Sequence, residues 1–435
     1  DINKTYEFLN AIFGTLLFSL FIFTLLVLIF TPIFIFLFAP GFYFDPVNQD
    51  ISIKVLRIMF PYLALISLVA FAGGIQNTHQ KFSIPAFTPV IFNLSLIIAA
   101  IFIAPKYDMP IYVLAWGVLL AGFIQALIQI APLRSINRLP IPKLNFKNQG
   151  VKRFLIVVFP AILAGGIIQI NLLVDTIFAS LLETGSPTWL YVSDRLVQFP
   201  MGIFAIAVGT VLLPTLSKID TNKERFVFIN SIKKGQKFVL FIGIPSLIGL
   251  IFCAEDLIST IFYRGAFTEF DVHKSSYSLI AFSFGLPFFM LMKVLTPAFF
   301  ARQDTKTPMY VAIISLLLNA SLNYLLAFKF GFGHVGIAIG SSIAALVSVL
   351  ILEAILYKDG FLKINSIFNR FNLMILASST ALVIFLYIFT SYINFIELNQ
   401  IERLFFLFIE IIISIAIYFS ISRFVFQRPL REIFN

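Results

Sequence analysis

The chain has 435 residues, of which 60% are hydrophobic and only 12% are charged. Soluble globular domains are about 25% charged, so this composition excludes an ordinary soluble protein and indicates one with many membrane spans. The formal net charge of +10 would suggest nucleic acid binding on a soluble domain, but on a membrane protein its meaning depends on where the basic residues lie.

Twelve apolar runs are long enough to cross a bilayer, for which a helix needs about 20 residues. In chain order they cover 8–38, 55–76, 86–104, 111–131, 154–181, 188–216, 238–253, 275–300, 309–328, 335–357, 372–394 and 403–424. Helices are expected because a strand in lipid leaves backbone groups unpaired unless it closes into a barrel. The predicted fold class is therefore an all-α polytopic membrane protein.

The basic residues indicate the orientation of these spans. When loops are assigned alternately with the N-terminus inside, 22 basic residues fall inside and seven fall outside. Only Arg195 and Lys293 lie within spans. Because cytoplasmic loops carry the excess of Lys and Arg, both termini are predicted to be cytoplasmic, and the net charge gives no support for nucleic acid as a partner.

An internal repeat is visible in the spacing of proline and asparagine. Pro61 precedes Asn93 by 32 residues, and Pro287 precedes Asn319 by the same interval. The two copies are six spans apart and share one orientation, which predicts parallel six-helix units related by a pseudo-two-fold axis. On this plan the first unit is two helices short, and we expect two N-terminal helices to be missing.

The repeat predicts the domain organisation of the chain. Segment 132–153 carries six basic residues and no acidic one, which fits either attraction to anionic lipid headgroups or a purely topological role. The predicted divisions are an N-lobe of four helices (1–131), a basic cytoplasmic linker (132–153), a C-lobe of six helices (154–357) and a C-terminal helix pair with a cytoplasmic tail (358–435).

Polar residues at membrane depth are the candidate substrate site, because such residues are costly there and usually face a cavity or another helix. Asp194 and Arg195 lie in the sixth span and Lys293 in the eighth. Arg195 offers a planar fork for phosphate or carboxylate, and the alternative is structural pairing near an interface. Adjacent helical residues point about 100° apart, so Asp194 and Arg195 are not expected to pair only with each other. The predicted cavity lining also includes Thr188 and Gln198.

A second polar group could hold a hard cation. Asp175 lies in the fifth span, and Asn319 and Asn323 lie four residues apart in the ninth, on one helix face. Oxygen ligands of this kind suit sodium, whereas the alternative is a set of interhelical hydrogen bonds. Glu410, in the last span, is predicted to be a helix-contact residue, and Gly336 and Gly340 form a GxxxG suited to close helix contact.

Other ligands and chemistries are disfavoured. One cysteine, Cys253, cannot form an internal disulfide, and the three histidines lie far apart in the sequence. No metal cluster and no cofactor other than sodium are expected. A membrane enzyme acting on polyprenyl-phosphate sugars would need clustered acids or a histidine at the membrane surface, and the acidic residues of loop 254–271 are interpreted as hydrated surface.

Several motifs together resemble one family, the MurJ (MviN) lipid II flippases of the multidrug/oligosaccharidyl-lipid/polysaccharide exporter superfamily. The similarity extends over the whole chain. The segments that carry it are Ala39-Pro40-Gly41-Phe42, Phe82-Ser83-Ile84-Pro85-Ala86-Phe87, Asp194-Arg195-Leu196 with Phe199-Pro200, 209–217 (GTVLLPTLS) and 302–308 (RQDTKTP).

The resemblance implies a fourteen-helix flippase with two six-helix lobes around a cationic cavity and a C-terminal pair that forms an apolar groove for a polyprenyl tail. Such a protein moves lipid II, the undecaprenyl-diphosphate-linked peptidoglycan precursor, across the bacterial inner membrane by alternating access. The expected partners are lipid II and membrane lipids, the expected state is a monomer, and no enzymatic activity is expected. A cation-coupled multidrug antiporter or a polysaccharide-lipid flippase of the same superfamily is the alternative.

The resemblance also bears on individual residues. Arg195 matches the cavity arginine of the family, while the other cavity arginines belong to the two helices expected to be missing. Gln198 stands where some members carry a glutamate, which leaves Arg195 without that acidic partner. Asp175, Asn319 and Asn323 resemble a sodium site proposed in the family, although not all members have the acid.

Overall fold

The computed structural model describes residues 2–145, 149–219, 224–362 and 369–424, and within these ranges the regular structure is entirely helical. All twelve apolar runs lie on helices, as predicted. Among the described residues, ten helical segments are long and apolar enough to cross a membrane, and Glu269–Ser283 with Leu286–Ala301, bent by 40°, makes an eleventh if the pair is one span. The fifth run lies in a 32-residue helix, Gln149–Ser180. Parts of the predicted linker (146–148) and tail (425–435) lie outside the described residues.

The chain forms two compact units, Asp1–Gly165 and Gly166–Asn435. The helix α8 (Gln149–Ser180) contains the boundary between them, and the predicted division at 132–153 stays a prediction. The first unit contains α1 (Ile2–Ile29), α2 (Thr31–Phe38), α3 (Pro40–Phe44), α4 (Pro46–Met59), α5 (Pro61–Thr78), α6 (Ser83–Ile98) and α7 (Pro110–Ser135).

A buried threonine marks the break in the first apolar run. Pro32 occupies the first turn of α2, where a missing N–H is tolerated. Thr31 is fully buried, and its hydroxyl donates to the Val27 carbonyl at 2.8 Å. The first run is therefore two helices joined at Phe30 instead of one continuous helix.

The described part of the basic linker packs against α1. Asn10 is 3% exposed; its side-chain oxygen accepts from the Ile141 N–H at 2.8 Å, and its carbonyl accepts from the Lys143 N–H at 3.2 Å. Gly14 permits this approach, since a Cβ there would lie 2.4 Å from the Lys143 carbonyl oxygen. This part of the linker is held by backbone contacts to α1.

The second unit contains the remaining helices and the larger core. They are the rest of α8, then α9 (Ser186–Pro200), α10 (Ile206–Ser217), α11 (Arg225–Phe252), α12 (Ala254–Phe262), α13 (Glu269–Ser283), α14 (Leu286–Ala301), α15 (Lys306–Asn323), α16 (Gly333–Lys358), α17 (Arg370–Tyr392) and α18 (Gln400–Phe424). Fully buried side chains such as Phe228, Leu279, Met290 and Val294 form its core. A second cluster, around Phe241, joins α11 to α17 and α18.

The two copies of the predicted repeat share local backbone features. Gln80 follows α5 with φ 58°, and Gln303 follows α14 with φ 61°. The next helix of each copy then ends in a π-helical segment, Ala99–Ile103 after α6 and Tyr324–Lys329 after α15. Left-handed glutamines and π-helical segments are both uncommon, so their recurrence supports the repeat.

The predicted GxxxG makes the expected close contact. A Cβ on Gly336 would lie 2.7 Å from the backbone nitrogen of Ala327, and a Cβ on Gly340 would lie 2.6 Å from Asn323 Oδ1. Small residues at these two positions let α16 approach the backbone of the ninth span. This approach also brings α16 beside the polar residues of that span.

Candidate functional site

Arg195 lies on the open face of α9. The opposite face of this helix is packed, because Trp189 is 2% exposed and the buried Ser193 hydroxyl donates to the Ser275 carbonyl of α13 at 2.7 Å. Thr188, Tyr191, Arg195 and Phe199 are exposed and recur at helical spacing. The predicted residues Thr188 and Arg195 therefore share one accessible stripe.

The guanidinium of Arg195 stacks on an aromatic ring. Its central carbon lies 4.7 Å from the centroid of Tyr191, one turn earlier on the same face. A cation–π contact of this kind holds the guanidinium plane without using its N–H donors. Sequence reasoning missed Tyr191, although its i, i−4 spacing from Arg195 was a usable signal.

Asp194 has a different partner from its neighbour. Its Oδ2 accepts a hydrogen bond from the Gln198 side-chain amide, and both side chains are half-buried. Asp194 and Arg195 thus do not pair only with each other, as the helical geometry predicts. Because the Gln198 amide is hydrogen-bonded to Asp194, that carboxylate does not need the N–H donors of Arg195. Arg195 therefore remains an accessible cation on α9.

Lys293 is exposed on α14, in the same unit. The helix α10 continues the span that begins with α9, and it packs against α14. Gly209 of α10 allows this packing, because a Cβ there would lie 3.0 Å from the Lys293 carbonyl oxygen. Arg195 and Lys293 therefore lie on two spans that pack together, and each is an accessible basic residue.

The predicted cation residues come together as a hydrogen-bonded cluster. Asp175 Oδ1 accepts from Asn319 Nδ2 at 2.8 Å and from Asn323 Nδ2 at 2.6 Å. The same Asn319 amide donates to Asn171 Oδ1 at 3.0 Å. The Ser341 hydroxyl lies 3.5 Å from Asp175 Oδ2 and 3.4 Å from Asn319 Oδ1. These contacts are the interhelical hydrogen bonds that were one of the two alternatives, and the cation site stays a prediction.

One oxygen of this cluster has no partner. Asn319 and Asn323 are fully buried, and Asn323 Oδ1 makes no hydrogen bond within the described part of the chain. A buried amide oxygen without a donor is unfavourable by about 1–3 kcal/mol. The cluster contains one carboxylate, three amide oxygens and one hydroxyl, and oxygen ligands of this kind could hold a hard cation.

Sequence reasoning missed Asn171 and Ser341 in this cluster. Asn171 lies four residues before Asp175, so the rule that groups Asn319 with Asn323 would also have found it. Ser341 follows the GxxxG directly and is placed by helix packing. Among the described residues, no group of three or more His, Cys, Asp or Glu side chains is arranged to hold a metal ion.

Comparisons with known proteins agree on one family. Residues 1–413 match the family model described as "Lipid II flippase MurJ". Curated relatives include a probable lipid II flippase MurJ of Haemophilus influenzae, 39% identical over 365 residues (81% of this chain and 71% of the relative). Another is the lipid II flippase MurJ of Burkholderia cenocepacia, 34% identical over 352 residues (80% of this chain and 68% of the relative).

Solved structures give the same result. A lipid II flippase MurJ in an inward closed conformation superposes with a TM-score of 0.80 at 28% identity, over 98% of this chain and 85% of that one. An inward-facing multidrug resistance MATE family transporter gives a TM-score of 0.65 at 13% identity, over 81% of each chain, and this likeness shows the fold alone. The chain therefore belongs to the lipid II flippase MurJ family.

Proposed function

We propose that this protein is a lipid II flippase of the bacterial inner membrane, which moves undecaprenyl-diphosphate-linked peptidoglycan precursor from the cytoplasmic to the periplasmic leaflet by alternating access. The match of residues 1–413 to the lipid II flippase family carries this proposal. The multidrug antiporter alternative has only a similarity of fold in its favour.

The physical problem for such a protein is the charged headgroup. A diphosphate cannot cross about 30 Å of hydrocarbon unaided, whereas the prenyl chain remains in lipid throughout. Arg195 is exposed and stacked on Tyr191, so its N–H donors remain available for a diphosphate oxygen pair. Lys293 adds a second cation as a point charge.

The companion residues have distinct roles in this proposal. Asp194, engaged by Gln198, leaves Arg195 free to bind the anion. Thr188 lies two turns before Arg195 on the exposed stripe and offers a hydroxyl to the sugar or peptide portion of the headgroup. The residues of α9 thus bind and orient the headgroup.

A genetic rescue tests this proposal. The full-length protein, with any residues that precede Asp1, is the parent chain of this test; it is expressed in bacteria depleted of their own lipid II flippase, and growth and cell shape are recorded. We expect rescue by the parent chain and none by Arg195→Ala, whose membrane level stays unchanged. Arg264→Ala, at an exposed arginine outside the spans, is the matched control and should rescue fully. Failure of a well-expressed parent chain would contradict the flippase function.

We further propose that the Asp175 cluster holds sodium. Rotation of the Asn319 and Asn323 amides would direct their oxygens, instead of their N–H groups, toward Asp175. A sodium ion bound between these oxygens and the Asp175 carboxylate would then be the partner of Asn323 Oδ1. Asn171 and Ser341 complete the oxygen set. The supporting observation is the buried Asn323 oxygen, which is unpaired within the described residues. The test is whether sodium raises the thermal midpoint more than choline does at equal ionic strength.

The orientation and oligomeric state are part of the same proposal. The excess of basic residues in alternate loops favours cytoplasmic termini, and the transport cycle requires no second copy of the chain. Reporter fusions at each terminus test the orientation, and the mass of the detergent-solubilised particle tests the monomeric state. A periplasmic signal from either terminus would contradict the topology.

A further inference from the structure

A buried acidic pair lies where α18 packs against α12, away from the two sites described above. Glu410 of α18 is fully buried and Asp256 of α12 is 6% exposed, so the interpretation of the acidic residues of loop 254–271 as hydrated surface is wrong for Asp256. The Cys253 thiol, three residues before Asp256, lies 3.1 Å from Glu410 Oε1, so both acids lie at the same contact between α12 and α18. Neither belongs to the substrate or cation residues assigned to this protein.

No basic side chain neutralises this pair among the described residues. Arg403, the buried arginine at the start of α18, donates to the carbonyls of Phe395 and Ile396 at 2.7 and 2.8 Å and stacks on Tyr263 at 4.6 Å. Its Nε and Nη2 donors are therefore used by backbone oxygens. Two buried carboxylates without a counter-ion are strongly disfavoured.

Two oxygens of the pair have no hydrogen-bond donor in the part of the chain that the structure describes. The Cys253 thiol donates to Glu410 Oε1 at 3.1 Å, but Glu410 Oε2 and Asp256 Oδ2 are buried and have no partner within the described residues. The hydroxyl of Thr260, one turn beyond Asp256 on the same face of α12 and 2% exposed, is likewise unpaired. A hydrogen carried by one of the two carboxyl groups would supply a donor for one of the unpaired carboxyl oxygens.

We propose that Asp256 and Glu410 form a proton-binding site that fastens the C-terminal helix pair α17–α18 to α12. One proton removes the repulsion between the two acids and supplies the donor that their oxygens lack. Loss of that proton leaves two like charges buried between α12 and α18. The attachment of α18, which also rests on the hydrogen bond from Gln400 to the Thr260 carbonyl at 2.8 Å, is then weakened.

The surroundings of the pair determine the direction of its pH dependence. Burial, with the charges of Glu410 and Glu255, raises the pKa of Asp256 from 3.8 to about 8. The folded protein therefore holds a proton that the unfolded chain releases, so the attachment is strongest at acidic pH and is lost as the pH rises through about 8. The titratable or charged groups around the pair are Cys253 at the end of α11, Glu255 on α12, His273 on α13 at 3.3 Å from Glu255, and Arg403 on α18.

Infrared spectroscopy of the full chain in lipid nanodiscs tests whether the proton is there. We expect a protonated-carboxyl band that loses intensity between about pH 6 and about pH 9, and we expect Glu410→Gln and Asp256→Asn each to remove that component. Glu397→Gln, at an exposed acid just before α18, is the control and should leave the band unchanged. If no carboxyl of the unsubstituted chain titrates in this interval, the proposal is overturned, whether or not the variants fold.

Hydrogen exchange tests the mechanical consequence. The protection of α18 amides in the parent chain should fall by about tenfold or more between about pH 6 and about pH 9. Glu410→Gln, which cannot ionise, should remain protected at both values. Equal protection of α18 at both pH values in the parent, or the same loss in Glu410→Gln, would refute a proton-dependent attachment.

Discussion

Substitution of Gly340 tests the cation site through helix packing alone, without removing any ligand. A Cβ at this position would lie 2.6 Å from Asn323 Oδ1 and 3.4 Å from Asn319 Oδ1, so Gly340→Ala must displace the amides. Overpacking of this kind is unfavourable by about 1–3 kcal/mol, and alanine regains about 1 kcal/mol of helix propensity over glycine. The net destabilisation expected is about 0–2 kcal/mol.

The decisive measurement is the response to sodium. Sodium at about 100 times its dissociation constant stabilises a protein that binds it only when folded by about 2.7 kcal/mol. We therefore expect the thermal midpoint of the parent to be higher in sodium chloride than in choline chloride at equal ionic strength. Gly340→Ala and Asp175→Asn should both lose most of that difference.

A matched glycine provides the control. Gly249 lies in α11, and a Cβ there would have no atom within 4 Å. Gly249→Ala should leave stability unchanged or raise it by up to about 1 kcal/mol, and it should retain the full sodium response. If Gly340→Ala responds to sodium like the parent, the amides do not bind the ion and the cluster is only a hydrogen-bonded contact.

Three further predictions concern other contacts. Arg195→Lys keeps the charge but loses the planar fork and the stacking on Tyr191, so the rescue of flippase-depleted cells should fall by about tenfold or more. Tyr418→Phe removes a hydrogen bond of 2.9 Å to a carbonyl of α11 and should lower the free energy of unfolding by about 1 kcal/mol, as measured by thermal denaturation. Burial opposes ionisation of Asp304, but hydrogen bonds from Thr307 prevail and lower the pKa of Asp304 below 3.8. The resulting stabilisation is present above pH 3.8 and is lost as the pH falls through the pKa that Asp304 has in the folded protein. Asp304→Asn should therefore remove this acid dependence of the thermal midpoint.

Each of these predictions has an outcome that contradicts it. Full rescue by Arg195→Lys would show that a point charge suffices, and Tyr191→Phe, which keeps the ring, should rescue like the parent. An unchanged midpoint in Tyr418→Phe would mean that its hydroxyl finds another acceptor. If Asp304→Asn has the same acid dependence as the parent, another carboxylate controls it, and Asp108→Asn, at an exposed loop, gives the baseline.

The helices and the grouping of residues were predictable because both follow from periodicity. Apolar runs of bilayer length can only be helices in lipid, so all twelve were found. The i, i+4 spacing of Asn319 and Asn323 placed both amides on one face, where the structure has them. What the sequence predicts here is local, and each element can be deduced from its own residues.

Interactions across helices were harder to predict. The partner of Arg195 is a ring on its own helix, which spacing could have supplied, but Ser341 joins the Asp175 cluster only because α16 packs closely on the ninth span. The pairing of Asp256 with Glu410 was harder still to predict, since 154 positions separate the two residues in the sequence (410 minus 256). Glu410 was expected to be a helix-contact residue, and that expectation did not identify the helix that it meets.

The π-helical segment after Asn323 connects the packing of α16 with the chemistry of the cluster. A π turn contains an extra residue relative to an α turn, so the backbone of Tyr324–Lys329 is wider than that of α15. Gly336 lies against that wider turn, with its Cβ position 2.7 Å from Ala327 N, and the same approach, one helical turn later, brings Gly340 to Asn323. The Asn319 and Asn323 amides thus lie between α16 on one side and Asp175 of α8 on the other. Gly336→Ala removes no ligand, and its Cβ would meet Ala327 and Leu326 instead of a cluster residue, so it should weaken the sodium response as Gly340→Ala does. A normal response would show that the close approach of α16 at Gly336 does not position the cluster.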